Sequence, residues 1–158
     1  MAMGISEDIK QSKFKSAYSK AIINILYTQS WLNDRHNMVF KKFDVTTPQF
    51  NILRILRGQY PNPSTVNLLI DRMIDKSSNA SRIVDRLEQK ELVERRQCKN
   101  DRRAVDVFIS EKGLQLLERL DQELDEMQAN INKLSDDELE QLNDLLDRFR
   151  ATSQTVSQ

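Results

Sequence analysis

Apolar residues recur every three or four positions over most of this chain, a period that predicts helices. Phe14, Tyr18, Ala21, Ile22, Ile25 and Leu26 form one stripe. Trp31, Leu32, Met38, Val39 and Phe40 continue the apolar content, with room for a bend before them, so a helical pattern extends from about Ile9 to Lys42. A helix of that length cannot bury its whole stripe against a small body, and part of it is expected to pack on another chain. Thr46-Thr47-Pro48-Gln49 opens a second helix: Thr46 and Gln49 have capping-box spacing, and Pro48 sits in the first turn, where its missing N–H is harmless. Phe50, Leu53, Ile55 and Leu56 supply its buried face, and Gly58 is placed to end it. Tyr60-Pro61-Asn62-Pro63 reads as a stiff connector. Asn67 is expected to cap a short helix bearing Leu68, Leu69, Ile70 and Met73. Asp75 to Ser78 then turn into a further helix that ends near Lys90.

The period changes after that helix. Leu92 to Gln97 and Val105 to Ile109 read as two strands around a charged tip, Cys98-Lys99-Asn100-Asp101-Arg102-Arg103. Ser64-Thr65-Val66 is a candidate third strand. Ser110-Glu111-Lys112-Gly113 starts a helix with Leu114, Leu117, Leu120, Leu124, Met127 and Ile131 on its apolar positions. Ser135 and Glu138 make a second capping box, before a last helix with Leu139, Leu142, Leu145, Leu146 and Phe149. The expected fold is mainly α with a small β-hairpin wing: a winged helix-turn-helix core with long N- and C-terminal dimerisation helices. Residues 1–44 form the N-terminal dimerisation region, 45–110 the winged helix-turn-helix and 111–158 the C-terminal dimerisation helices, all in one intertwined domain.

Composition narrows the function. In 158 residues, 24 Lys+Arg balance 24 Asp+Glu, which by itself argues against nucleic acid. The distribution argues the other way. Residues 1–110 hold 19 basic against 12 acidic residues, and residues 111–158 hold 5 against 12. A basic body with an acidic end can bind phosphates at one place and repel them at another. No apolar run approaches the roughly 18 residues needed to span a bilayer, and MAMGISEDIK lacks the apolar core of a signal peptide. Together with a single cysteine, Cys98, this points to the cytoplasm. One His and one Cys cannot build a usual zinc site. No nucleophile–base arrangement or glycine-rich phosphate loop is present, so no enzyme and no cofactor are expected. Asp136-Asp137 reads as a helix start favoured by the dipole.

Four pieces in order, VTTPQFNILRIL, SSNASRIVDRLEQKELVERR, NDRRAVDVFIS and SEKG, resemble the MarR family of winged helix-turn-helix transcription regulators. The resemblance covers nearly the whole chain and is strongest from Val45 to Leu117. It implies a homodimer reading a pseudo-palindromic double-stranded DNA operator, with half-sites about one helical turn apart. It implies a repressor relieved by a small ligand or a stress signal. Ser78, Asn79, Ala80, Ser81 and Arg82 occupy the family's recognition-helix start. Asn79 and Arg82 are the expected base readers, because amide and guanidinium make bidentate contacts to adenine and guanine. Ser77, Ser78 and Ser81 would bind phosphate or bases. Asp101 and Arg103 match the wing motif, with Arg103 in the minor groove and Asp101 holding it by an ion pair. Arg86, Arg95, Arg96, Lys99 and Arg102 complete the DNA-contacting set.

Two departures stand out. The family usually has Gly or Asn at the position of Glu91. A left-handed turn is strained for Glu, so a different turn is expected there. The Ile70-to-Asp75 segment also lacks the usual glycine. Many relatives hold a small-molecule pocket between the dimer and DNA-binding regions, and Tyr27, Trp31, His36 and Phe40 are the candidates to line one for an aromatic or other organic effector. The plainer reading makes these aromatics core or dimer interface and His36 a bystander. Cys98 lies at the wing, where oxidation or alkylation would bear on DNA binding, but no sensing role is assigned to it. The alternative from another class is a winged-helix protein-interaction module without sequence-specific DNA binding, motivated by Glu91 and the zero net charge.

Overall fold

The computed structural model describes residues 4–98 and 105–151. A single helical turn, α1 (Ile5–Asp8), precedes the long helix α2 (Ala17–Lys42). The periodicity suggested helix from about Ile9, but α2 starts only at Ala17, because Ser16 is extended and its hydroxyl accepts from the Ser19 amide at 3.0 Å. From there α2 is unbroken to Lys42. Asp44, at φ 52, closes it: the Val45 amide reaches back to the Phe40 carbonyl at 3.1 Å.

The expected capping box opens α3 (Thr47–Gln59), with Gln49 N–H to Thr46 Oγ1 at 3.4 Å and Thr46 N–H to Gln49 Oε1 at 3.0 Å. Gly58 lies inside its last turn and does not end it. A short strand, β1 (Ser64–Thr65), leads directly into α4 (Val66–Arg72). The cap of α4 is Thr65 and not Asn67: Thr65 Oγ1 accepts from the Leu68 amide at 3.2 Å. Then come α5 (Ala80–Gln89), β2 (Val93–Gln97), β3 (Val105–Ile109), α6 (Glu111–Ile131) and α7 (Asp136–Arg150). The second capping box is also formed, Ser135 with Glu138.

The three strands form an antiparallel sheet in the order β1-β3-β2. Val107 is its centre, opposite Ser64 on one side and Arg95 on the other. Side chains alternate across a strand, so Val93 and Arg95 share the inner face with Ile109 and Val107. Glu94 and Arg96 point outward, opposite Phe108 and Asp106. The inner face packs on Ile52, Leu53 and Leu56 of α3, Leu69 of α4, Val84 and Leu87 of α5 and Leu117 of α6, all essentially inaccessible. Each such side chain contributes about 1.5–3 kcal/mol by burial, which makes this cluster the main source of stability.

Glu91 corrects the sequence reading. It adopts φ 61, the left-handed conformation that its side chain was expected to avoid, and the Leu92 amide bonds the Leu87 carbonyl at 3.0 Å as in a glycine-ended helix. The neighbourhood holds it there. Ser110 Oγ donates to the Glu91 carbonyl at 2.7 Å and accepts from the Gly113 amide at 3.0 Å. Lys112 Nζ donates to the Glu91 carboxylate at 2.7 Å. Gly113 is required at this junction, since a Cβ there would overlap the Leu92 carbonyl oxygen.

The chain divides into two compact units, residues 1–124 and 125–158. Helix α6 begins in the first, where Leu117 and Leu120 are fully buried, so its opening turns belong to the winged-helix body. Arg57 of α3 pairs with Asp121 at 2.5 Å and Lys42 of α2 with Glu123 at 2.7 Å. In the second unit α7 has no buried residue, and Leu142, Leu145 and Phe149 are exposed. Among the described residues no helix is long and apolar enough to cross a membrane.

Candidate nucleic-acid interface

The approach to α5 is a turn built on Asp75. Its carboxylate accepts from the Ser77 amide at 2.9 Å, the Ser77 hydroxyl at 2.6 Å and the Ser78 hydroxyl at 2.9 Å. These bonds, from Ser77 first and then Ser78, hold the Asp75 carboxyl below the usual carboxylate range. Both serines therefore present hydroxyls already donating inward, with oxygen lone pairs left to accept. Asn79 is the N-cap of α5: its Oδ1 accepts from the Arg82 amide at 3.1 Å. The amide oxygen expected to read adenine thus has a structural task, which leaves Nδ2 as the free end of that side chain.

Helix α5 has three distinct sides. Ala80, Val84 and Leu87 are buried in the core. Asn79, Arg82, Ile83 and Arg86, joined by Ser78, line a shallow open groove. Within the described residues neither the Arg82 nor the Arg86 guanidinium has a bonding partner, so two cationic forks one turn apart stand free, Arg82 in the first turn of the helix and Arg86 in the last. Such a surface suits phosphate and the edges of bases. Ile83 was not among the expected residues; its spacing of four from Asn79 was the available signal.

The third side carries Ser81, Asp85 and Glu88, and this is where two expectations fail to meet the groove. Ser81 lies about 160° around the helix from Asn79 and does not join it. Arg95, expected at a phosphate, turns to this side: its Nη2 donates to the Ser81 carbonyl at 3.2 Å and pairs with the Asp85 carboxylate. Arg96 remains on the outer face of β2, bonded to Glu94 at 2.8 Å and stacked over Phe108 at 4.8 Å. Cys98 is partly exposed at the end of β2. Lys99, Asp101, Arg102 and Arg103 lie outside the described residues.

The four pocket candidates are not brought onto one face. Nine residues of helix turn Tyr27 and His36 about 180° apart. His36 and Phe40 face inward, Phe40 buried against Phe50 at 4.8 Å and His36 against Phe40 at 5.8 Å. Burial pushes the His36 imidazole pKa down. Tyr27 and Trp31 lie on the other side, where Arg35 stacks on the indole at 3.6 Å and donates to the Trp31 carbonyl at 3.2 Å. Among the described residues no cluster of acidic, His or Cys side chains could hold a metal ion.

A MarR family model matches residues 45–105, the segment from just before α3 to the first residue of β3. The HTH-type transcriptional regulator MgrA of Staphylococcus aureus is 32% identical over 110 residues, covering 70% of this chain and 73% of that protein. Among solved structures, a MarR transcription factor from Planctomyces limnophilus has 27% identity and a TM-score of 0.66, over 86% of this chain and 99% of its own. The MepR–DNA complex of S. aureus superposes with a TM-score of 0.69 at 23% identity, covering 86% of this chain and 96% of MepR, a likeness of fold. With a helix-turn-helix, a sheet in the order β1-β3-β2 and this breadth of similarity, the chain belongs to the MarR family of DNA-binding transcriptional regulators, a family of regulators and not of enzymes.

Proposed function

We propose that this protein is a homodimeric repressor that lays α5 in the major groove of a pseudo-palindromic operator and the β2–β3 wing against the adjacent minor groove. The observation that carries the reading is the outward row Asn79, Arg82, Ile83 and Arg86, with one unpaired guanidinium in the first turn and one in the last turn of a helix backed by the core. Arg82 reads a base edge, Arg86 contacts base or phosphate, and Ser77 and Ser78, whose hydroxyls already donate to Asp75, accept from base amino groups. In the wing, Arg103 enters the minor groove, Asp101 holds it, and Lys99, Arg96 and Arg102 meet phosphates. The MepR–DNA complex, of similar fold, supports this docking.

Dimerisation accounts for the apolar surface left over. Tyr18 and Leu26 of α2 are 65% and 59% exposed, and Leu145 of α7 is 58% exposed. A second copy would cover these rows. A small aromatic or other organic effector, bound near Tyr27 and Trp31 or near His36 and Phe40, relieves repression by favouring a dimer with misplaced recognition helices. The site of action is the cytoplasm. A protein-interaction module without DNA now rests on net charge alone, since Glu91 takes the left-handed turn after all.

Selection of sites from a random duplex library at about 100 mM salt tests the reading. Enrichment of an inverted repeat with half-sites about one turn apart is expected. No enrichment from folded, dimeric protein would count against sequence-specific binding.

A further inference from the structure

We propose that Arg95 is a positioning residue that sets the rotation of α5 against the wing. The inference rests on the DNA-binding reading of α5 but concerns a residue outside the groove. Arg95 leaves the inner face of β2 opposite the fully buried Val107, and its side chain is 28% exposed, against 64% for neighbouring Arg96. Its Nη2 donates to the Ser81 carbonyl at 3.2 Å and to the Asp85 carboxylate. Its Nε lies 3.6 Å from the Glu88 carboxylate, an ion pair too long to be a hydrogen bond, and that nitrogen is buried without a hydrogen-bond partner. Ser81, Asp85 and Glu88 follow one another at spacings of four and three, so a single guanidinium from the wing strand grips one side of α5 over two turns.

The grip bears on recognition. A rotation of α5 about its axis would carry Arg82 and Arg86 off a base edge, because their guanidinium groups lie at the ends of long side chains far from that axis. Arg95 opposes it. Withdrawing Arg95 to a phosphate would also leave Asp85 and Glu88 uncompensated near DNA, where carboxylates repel the backbone. The residue therefore acts through α5, with no contact to DNA of its own.

The test is binding of Arg95→Ala, Arg95→Lys and Asp85→Asn to a selected operator duplex and to a random duplex, each over about 50 to about 200 mM salt. Positioning predicts that Arg95→Ala lowers operator affinity about tenfold, leaves random-duplex affinity and the salt slope unchanged, and that Arg95→Lys rescues little because an ammonium lacks the fork. Asp85→Asn should also weaken operator binding, although it removes a negative charge. A phosphate contact predicts the reverse: the slope falls by about one, both duplexes lose affinity together, Lys rescues, and Asp85→Asn binds as well or better. That pattern would overturn the proposal. Amide hydrogen exchange of the free proteins adds a DNA-independent arm. Faster exchange across α5 in all three variants, with the core unchanged, is expected, and exchange identical to wild type would overturn the grip. Failure of the wild-type protein to retain either duplex would sink the DNA reading, and is distinguishable because it appears before any substitution.

Discussion

Glu91 and His36 show how single residues are shaped by what surrounds them. At φ 61 the Glu91 backbone sits where a Cβ is crowded, held by the bond of its amide to the Glu88 carbonyl at 2.8 Å and by the Ser110 hydroxyl on its own carbonyl, with Lys112 paired to its carboxylate. Lys112 also keeps the Glu91 carboxyl below the usual range. The pair is exposed and contributes little, so Glu91→Gly should raise the urea midpoint; a lower midpoint would show that the pair outweighs the strain. His36 has the opposite problem, a polar ring half-buried beside Phe40. Its folded pKa is pushed below the ordinary 6.5, so the unfolded chain binds the proton more readily and stability falls as pH drops through that value. Between about pH 7.5 and about pH 5.5 the thermal midpoint of wild type should therefore fall further than that of His36→Gln. Equal slopes would remove His36 from the account. The carboxyls of Asp75, Glu91 and Glu138 are depressed, so their contributions are present above the ordinary carboxylate range and fade only in acid below that window.

Helix ends were read with uneven success, and the reason is local. The boxes at Thr46/Gln49 and Ser135/Glu138 were legible because both partners lie within four residues. Thr46→Ala should cost about 1 kcal/mol in denaturant unfolding. The cap of α4 went to Thr65 instead of Asn67 because β1 pairs with β3 and delivers the chain to the helix two residues early. Asn79 combines two tasks that substitutions can separate. Asn79→Asp keeps an oxygen for the Arg82 amide and should leave stability within about 0.5 kcal/mol, whereas Asn79→Ala loses about 1 kcal/mol. If Nδ2 reads a base, Asn79→Asp also weakens operator binding; unchanged affinity would confine Asn79 to capping. Arg95 was misplaced for a different reason. Its alternation with buried Val93 was visible in the sequence, but a cation two residues from a charged tip reads first as a phosphate ligand.

The apolar rows of α2 and α7 bear on assembly. Leu142, Leu145 and Phe149 share an exposed side of a helix that has no fully buried residue. A paired Leu142→Asp, Leu145→Asp variant should halve the mass measured by light scattering and weaken operator binding, because two half-sites are no longer read together. A variant that keeps its mass would place the dimer contact elsewhere. The body from α3 to the start of α6 should keep its far-ultraviolet helical signal, since its core draws on Ile52, Leu87 and Val107 and not on α7.

Much of this protein was determined locally by its sequence: helix periods, two capping boxes, the two-strand wing and the ordered motifs that place it in its family. These depend on neighbours within a few residues, and hydrogen bonding and side-chain spacing express them wherever the chain goes. Only the tertiary structure decided that Glu91 takes a left-handed turn and that Arg95 turns onto α5 and not toward a phosphate. Each outcome turns on contacts between distant segments, such as Ser110 on Glu91 or Arg95 on Asp85. Long-range packing can hold a strained backbone or redirect a charge, and no local pattern records it.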